Sequence, residues 1–327
     1  MSPHHPSRLP RARTLRLAGL ALLALASSAQ ATFSIVACDR DGRCGVAVAT
    51  NNRAVGASVP YAQAGVGALV SQFETNPGYG PKGLALLAAG RSPEATLQAL
   101  LDGDGGFDGT TIAERQVGIV DAQGRSATYT GAQARTSAWA GALHGEGYAV
   151  QGNGLAGEAV AIAMKQTFLA GHGTLAERLM ASLEAGQAAG GQTIGKRSAA
   201  LLVRTPDGAW QDIDLRVDGA AEPIVDLRRL LEQHYALQAI IRAERLARQD
   251  KPAEARTAIA EALRRSYGWD RIWRRAGRLA MTMGDRERTL DYLGVFLSVN
   301  PVWARQELDD PLYQPLHGQA LFEAWRR

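Results

Sequence analysis

Thr32-Phe33-Ser34-Ile35-Val36-Ala37 is a β-prone run, Asp39-Arg40-Asp41-Gly42-Arg43 is a turn, and Gly45 to Thr50 returns as a second β-prone run. Strands joined this tightly can only be antiparallel neighbours, which excludes a chain built wholly of parallel crossovers. Gly65 to Phe73 predicts a third strand. Two helices follow, Pro81 to Ala89 with Gly90 as its stop, and Ser92 to Leu101 with Ser92 as N-cap and Pro93 at the first helical position. Val117 to Val120 and Ser126 to Thr130 flank another turn. A strand near Tyr148 to Gln151, helices near Glu158 to Leu169 and Leu175 to Glu184, and strands Ser198 to Arg204 and Trp210 to Val217 complete this half. Such blocks of strands and helices predict two sheets with helices on their outer faces, an α/β sandwich. No glycine-rich phosphate loop stands in the right context, so nucleotide binding gets no support.

After Pro223 the chain becomes arginine-rich helix. Ala239 to Ala247 pairs with Ala253 to Arg265 around Asp250-Lys251-Pro252, and Ile272 to Met281 pairs with Glu287 to Ser298 around Gly284-Asp285. A shift of 34 residues superposes Leu246 on Ala280, Ala258 on Tyr292, Ile259 on Leu293, Leu263 on Leu297 and Trp269 on Trp303. This period resembles tetratricopeptide repeats and implies an all-α helical-hairpin domain with a possible protein partner; the helix before Ala239 and the tail to Arg327 would act as caps.

The formal charge of +4 suggests an anionic partner, but four of the 36 basic residues lie in the first 31 positions with no acid among them. Arg8, Arg11, Arg13 and Arg16 precede the apolar run Leu17 to Ala26, and Ala29-Gln30-Ala31 is a small-x-small cleavage site. Residues 1–31 therefore read as a signal peptide, without the adjacent arginines of the twin-arginine route, and the product as periplasmic or secreted. The remainder carries 32 residues of each sign, divided as −4 over residues 32–223 and +4 over residues 224–327. Nucleic-acid binding loses its support, and no membrane contact is expected after cleavage.

Cleavage after Ala31 leaves Thr32 with a free α-amine. An amine with a pKa of about 7.7–8.0 is partly unprotonated near neutrality and can take the proton of its own Oγ1 as that oxygen attacks a carbonyl. The stretches Thr32 to Ala37, Gly45 to Ala49, Ala54-Val55-Gly56, Val59-Pro60, Ala64 to Ala68, Thr75-Asn76-Pro77 with Gly80-Pro81, Gly118 to Asp121 with Gly124-Arg125, Gln151-Gly152-Asn153 and Ser198 to Val203 resemble the domain-of-unknown-function 1028 family. The resemblance implies an N-terminal nucleophile (Ntn) hydrolase fold, a four-layer αββα sandwich, over residues 32–223, with Thr32 as catalytic nucleophile and base. Asn153 and Asn76 match family motifs and are candidate oxyanion donors, or else turn-forming asparagines. Arg53, after the second strand, is a candidate for binding a substrate carboxylate or lowering the amine pKa, or else a solvated loop arginine. The chain departs from the family pattern at Gln192, where an Asp is expected, and at Arg197, where a Gln is expected.

Cys38 and Cys44 bracket the first turn at facing positions, as a cross-strand disulfide or as two free buried thiols. His144, His172, His234 and His317 lack metal-ligand spacing, and the stretch from Asp102 to Asp108 lacks the closing Glu of a calcium loop, with Ala113 in its place. No metal or other cofactor is expected. The leading expectation is an exported hydrolase of a small-molecule amide. The competing one is a non-catalytic periplasmic binding or scaffold protein using its helical repeats toward protein or cell wall.

Overall fold

The computed structural model describes residues 31–208 and 211–327. The expected signal peptide, apart from Ala31, and Trp210 lie outside the described residues. The strands are β1 (Thr32–Cys38), β2 (Cys44–Thr50), β3 (Pro60–Gln63), β4 (Gly67–Phe73), β5 (Arg115–Asp121), β6 (Ser126–Thr130), β7 (Trp139–Gly145), β8 (Tyr148–Leu155), β9 (Ser198–Arg204) and β10 (Ile213–Val217). They form a six-stranded sheet in the order β10-β9-β2-β1-β8-β7 and a four-stranded sheet in the order β3-β4-β5-β6, and every pairing is antiparallel.

Strand β1 lies at the centre and is buried along its whole length. Because side chains alternate between the faces of a strand, it serves two cores. Phe33, Ile35 and Ala37 pack against α3 (Glu158–Ala170) and α4 (Leu175–Ala188), among Met164, Phe168, Leu179 and Leu183. Val36 and Cys38 face the other way, toward Ala68, Val70 and Val120 of the four-stranded sheet. The outer face of that second sheet is covered by α1 (Tyr79–Ala88) and α2 (Pro93–Asp102), with Ser92 accepting from the Ala95 amide as the expected N-cap. Two facing sheets thus lie between two pairs of helices.

Two strands are additional to those read from the sequence, and both are sheet edges. β3 opens on Pro60, which an edge strand tolerates because one side of its backbone needs no partner. β7 carries two glycines and is only half-buried, so its pattern does not alternate. Cys38 and Cys44 are bridged, and the disulfide joins β1 to β2 at the turn.

The helical half follows as α5 (Pro223–Arg248), α6 (Pro252–Arg265), α7 (Asp270–Thr282), α8 (Arg286–Val299), α9 (Pro301–Glu307) and α10 (Ala320–Arg326). The first helix begins at Pro223 and runs 26 residues without a break, longer than the segment from Ala239 expected from periodicity. Its Ile224, Leu227 and Leu231 belong to the sandwich core, and its Ala236, Ala239, Ile240 and Ala243 belong to the helical core. One rigid rod therefore joins the two halves in place of a linker. Opposite charges meet along it: Arg228 makes a two-pronged pair with Glu184 of α4 at 2.8 and 2.6 Å, and Arg265 lies 3.6 Å from Glu177. Among the described residues no helix is long and apolar enough to cross a membrane.

Candidate active site

Thr32 begins β1, directly opposite Thr50 of β2 on one side and Asn153 of β8 on the other; Thr50 in turn faces Ser198 of β9. Residues opposite one another share a face, so this row of short polar side chains looks toward the four-stranded sheet, as Ser34 does. Thr32, Thr50, Asn153 and Ser198 are all buried. The Thr32 nitrogen donates to Asn153 Oδ1 at 3.2 Å, and Thr32 Oγ1 lies 3.1 Å from Thr50 Oγ1. Thr50 Oγ1 gives its one proton to the Ala31 carbonyl at 2.7 Å, so the Thr32 hydroxyl is the donor of the threonine pair.

Behind the row the two sheets share a layer of amides. Asn153 Nδ2 and Gln72 Nε2 both donate to Gln116 Oε1 at 2.8 Å. Ser34 Oγ donates to Gln72 Oε1 at 2.6 Å, and Gln151 Nε2 donates to Ser34 Oγ at 2.7 Å. Every member of this layer is buried, and none is ionisable. The loop between α4 and β9 closes the end of the sheet: the Arg197 amide donates to the Thr50 carbonyl at 2.7 Å and the Thr193 amide to the Gly154 carbonyl at 3.0 Å.

The sequence-derived candidates divide. Asn153 is with Thr32: its Oδ1 accepts from the Thr32 nitrogen, and one N–H of its Nδ2 is engaged by Gln116. Asn76 is elsewhere. Its amide nitrogen bonds to Ser71 Oγ and its Nδ2 to Asp104, on the outer face of β4 that α1 covers, so a sheet separates it from Thr32. There it helps hold the Asp104 carboxylate, which also accepts from Tyr79 and from Arg115 at 2.7 and 2.9 Å. Burial alone would push Asp104 up, but bonds from Arg115, Tyr79 and Asn76 outweigh it and bring its pKa down to about 2. Arg53 is exposed, three residues beyond Thr50, with its backbone carbonyl accepting from the Gly219 amide. Gln192 is buried at a bridge with Leu155, and neither amide atom finds a partner among the described residues, while Arg197 is exposed.

A family model described as a family of unknown function, DUF1028, matches residues 32–227. The chain belongs to the DUF1028 family. A crystal structure of a DUF1028 protein from Silicibacter pomeroyi is similar at 32% sequence identity and a TM-score of 0.55, covering 62% of this chain and 85% of that one. No curated protein matches. The DUF1028 match starts on Thr32 and ends inside α5, at the part that packs on the sandwich.

Sequence reasoning missed Thr50, Gln72, Gln116 and Gln151. A signal was there: in β1, β2, β4, β5 and β8 the polar residues on the inward parity stand toward the Thr32 end, as in Thr32 and Ser34 ahead of Val36, or Gln151 and Asn153 after Ala149. Among the described residues no three His, Cys, Asp or Glu side chains gather as a metal site requires.

Proposed function

We propose that this DUF1028 chain is an exported Ntn-type hydrolase that cleaves an amide C–N bond of a small substrate, with Thr32, freed by signal cleavage after Ala31, as nucleophile and base. The observation that carries the reading is the environment of Thr32: its nitrogen and its Oγ1 are each held by one uncharged partner at the head of the central strand. The start of the family match on the same residue supports it. So does the arrangement of two antiparallel sheets between helix pairs, which we read as the αββα sandwich of Ntn hydrolases.

In this mechanism the neutral amine removes the Oγ1 proton while Oγ1 bonds to the substrate carbonyl carbon. Collapse of the tetrahedral adduct breaks the C–N bond, and the amine passes its proton to the leaving nitrogen. Water, deprotonated by the same amine, then cleaves the acyl ester and regenerates Thr32. The amine's ordinary pKa of about 7.7–8.0 leaves it partly unprotonated near neutrality, and its Asn153 partner carries no charge. Removal of Ala31 also releases the Thr50 hydroxyl, giving it a proton to offer the developing oxyanion. Arg53, three residues after Thr50, and Arg197, directly before Ser198, are both exposed, and a substrate bearing a carboxylate would suit them.

The helical half supports a repeat reading. α6 and α8 are 14 residues each and begin and end 34 residues apart, as do the ends of α5 and α7 at Arg248 and Thr282. A cleft of about 580 Å³ between α5, α6 and α7, lined by Arg248, Arg275 and Leu279, suits a protein partner. That cleft is the observation favouring the second reading, a non-catalytic scaffold. The test is N-terminal sequencing of the exported protein together with labelling by a β-lactone electrophile. A Thr32 terminus and label lost in Thr32→Ala are expected; a different terminus ends the proposal.

A further inference from the structure

An asparagine amide can face either way, and the difference decides what Asn153 offers the Thr32 amine: an oxygen that accepts from its N–H, or an N–H that would occupy the lone pair the base needs. In the structure the Thr32 backbone N–H, which only donates, meets Oδ1, but once cleavage turns that nitrogen into an amine, which can also accept, Thr32 no longer fixes the choice. Gln116 does. Its Nε2 lies 2.8 Å from the Gly152 carbonyl and 3.3 Å from the Gly141 carbonyl, and backbone carbonyls only accept, so that end of the amide must be the nitrogen. Oε1 is then the end that meets Asn153, and it can only accept; Asn153 must present Nδ2 to Gln116 and Oδ1 to Thr32.

A second chain of bonds reaches the same oxygen from the other side. Gln151 Nε2 is fixed by the Ser34 carbonyl at 3.2 Å and donates to Ser34 Oγ, which donates to Gln72 Oε1, leaving Gln72 Nε2 to donate to Gln116 Oε1. Both chains run toward Gln116 without conflict, and the residue is fully buried on β5, in the sheet opposite Thr32.

We propose that Gln116 is a positioning residue of the Thr32 site: anchored on the Gly152 carbonyl, it sets the direction of the Asn153 amide and so holds an acceptor against the Thr32 nitrogen. The inference rests on the reading of Thr32 as nucleophile and adds a residue that touches neither substrate nor Thr32. It predicts a hierarchy of variants that size and stability alone do not. Gln116→Met keeps the length and removes both ends of the relay. Gln116→Glu, when protonated, keeps it: the carboxyl O–H replaces Nε2 toward Gly152, and the other oxygen still accepts from Asn153. Ile119→Ala, on the helix-facing side of the same strand, is a destabilised control outside the layer.

The experiment measures the rate of β-lactone labelling at Thr32 from pH 5.5 to 8.5, with thermal melting of each variant. Gln116→Met is expected to label at least tenfold more slowly than wild type at every pH, Gln116→Glu to exceed Gln116→Met at the acid end, and Ile119→Ala to keep the wild-type rate despite a lower melting temperature. Wild-type labelling in Gln116→Met, or Gln116→Glu as slow as Gln116→Met throughout, overturns the proposal. If wild type itself takes no label, it is the nucleophile reading that has failed. Hydrogen exchange of the Asn153 side-chain amide by NMR then still decides the positioning role: protected protons in wild type and fast exchange in Gln116→Met support it, and equal exchange in both refutes it.

Discussion

Replacing Gly118 with alanine tests how the two sheets meet beside the Thr32 layer. Gly118 lies on β5 opposite Val70, and the space its side chain would fill is taken by the Gln151 carboxamide of the facing sheet: a Cβ at 118 falls 1.9 Å from Gln151 Oε1 and 2.5 Å from its Cδ. That carboxamide cannot swing aside freely, because its Nε2 is held by both the carbonyl and the hydroxyl of Ser34. Overpacking a well-filled core costs about 1–3 kcal/mol. Leaving a buried amide or hydroxyl unpaired adds about 1–3 kcal/mol. Gly118→Ala is therefore expected to destabilise the sandwich by about 2–6 kcal/mol, read by urea denaturation followed by circular dichroism with an unchanged slope. In a Gln151→Ala background the colliding atoms are gone, and the same substitution should cost under about 0.5 kcal/mol, so the two sites couple strongly. A Gly118→Ala protein as stable as wild type, or an equal loss in both backgrounds, refutes the packing argument.

Asp104 has its pKa lowered in the folded state, so the stability it contributes is present above the ordinary carboxylate range and is lost as the pH falls from about 4 through about 2. Asp104→Asn should remove that step from the acid-denaturation profile and cost about 2 kcal/mol at pH 7, and an unchanged profile counts against the Asp104–Arg115 cluster as a fixed pair. Opening the Cys38–Cys44 bridge by Cys38→Ala with Cys44→Ala frees only a short loop and should cost about 2 kcal/mol in urea denaturation. Arg228→Ala removes the two-pronged pair with Glu184 and should cost about 1 kcal/mol, with faster amide exchange along the first turns of α5 as the local sign of a loosened junction.

What could be read from the chain beforehand was whatever local chemistry decides. The β1–β2 hairpin follows from a β-prone run, a five-residue turn and its return, and α2 follows from Ser92 and Pro93 at its head. β3 and β7 were not legible, because β3 is four residues opening on Pro60 and β7 carries two glycines and is half-buried, so neither shows an alternating apolar face. The length of α5 escaped periodicity for another reason: its buried face turns from the sandwich core to the helical core part-way along, so no single apolar stripe runs its length. The misplacement of Asn76 is instructive in the same way. Thr75-Asn76-Pro77 reads as a site motif, yet Asn76 Oδ1 caps the Gly78 amide at 3.0 Å while its Nδ2 ties down Asp104, work a motif performs equally well far from any chemistry. Gln116 was invisible because its role depends on a partner in the opposite sheet 37 residues away.

The burial of the proposed cleavage bond constrains the order of events. Ala31 and Thr32 are 2% and 3% exposed, the Ala31 carbonyl holds the Thr50 hydroxyl, and Thr32 pairs with strands on both sides. A protease must draw several residues of extended chain into its cleft, and here that means pulling the head of β1 out from between β2 and β8. Under the proposed reading, cleavage after Ala31 therefore precedes closure of the six-stranded sheet, which fits export of an unfolded chain by the general route rather than passage of a folded one. The expected outcome is that full-length protein refolded before exposure to signal peptidase resists cleavage at this bond, while the same chain presented unfolded is cut there. Rapid cleavage of the refolded chain would mean that the head of β1 opens readily from between β2 and β8, and would overturn this order of events.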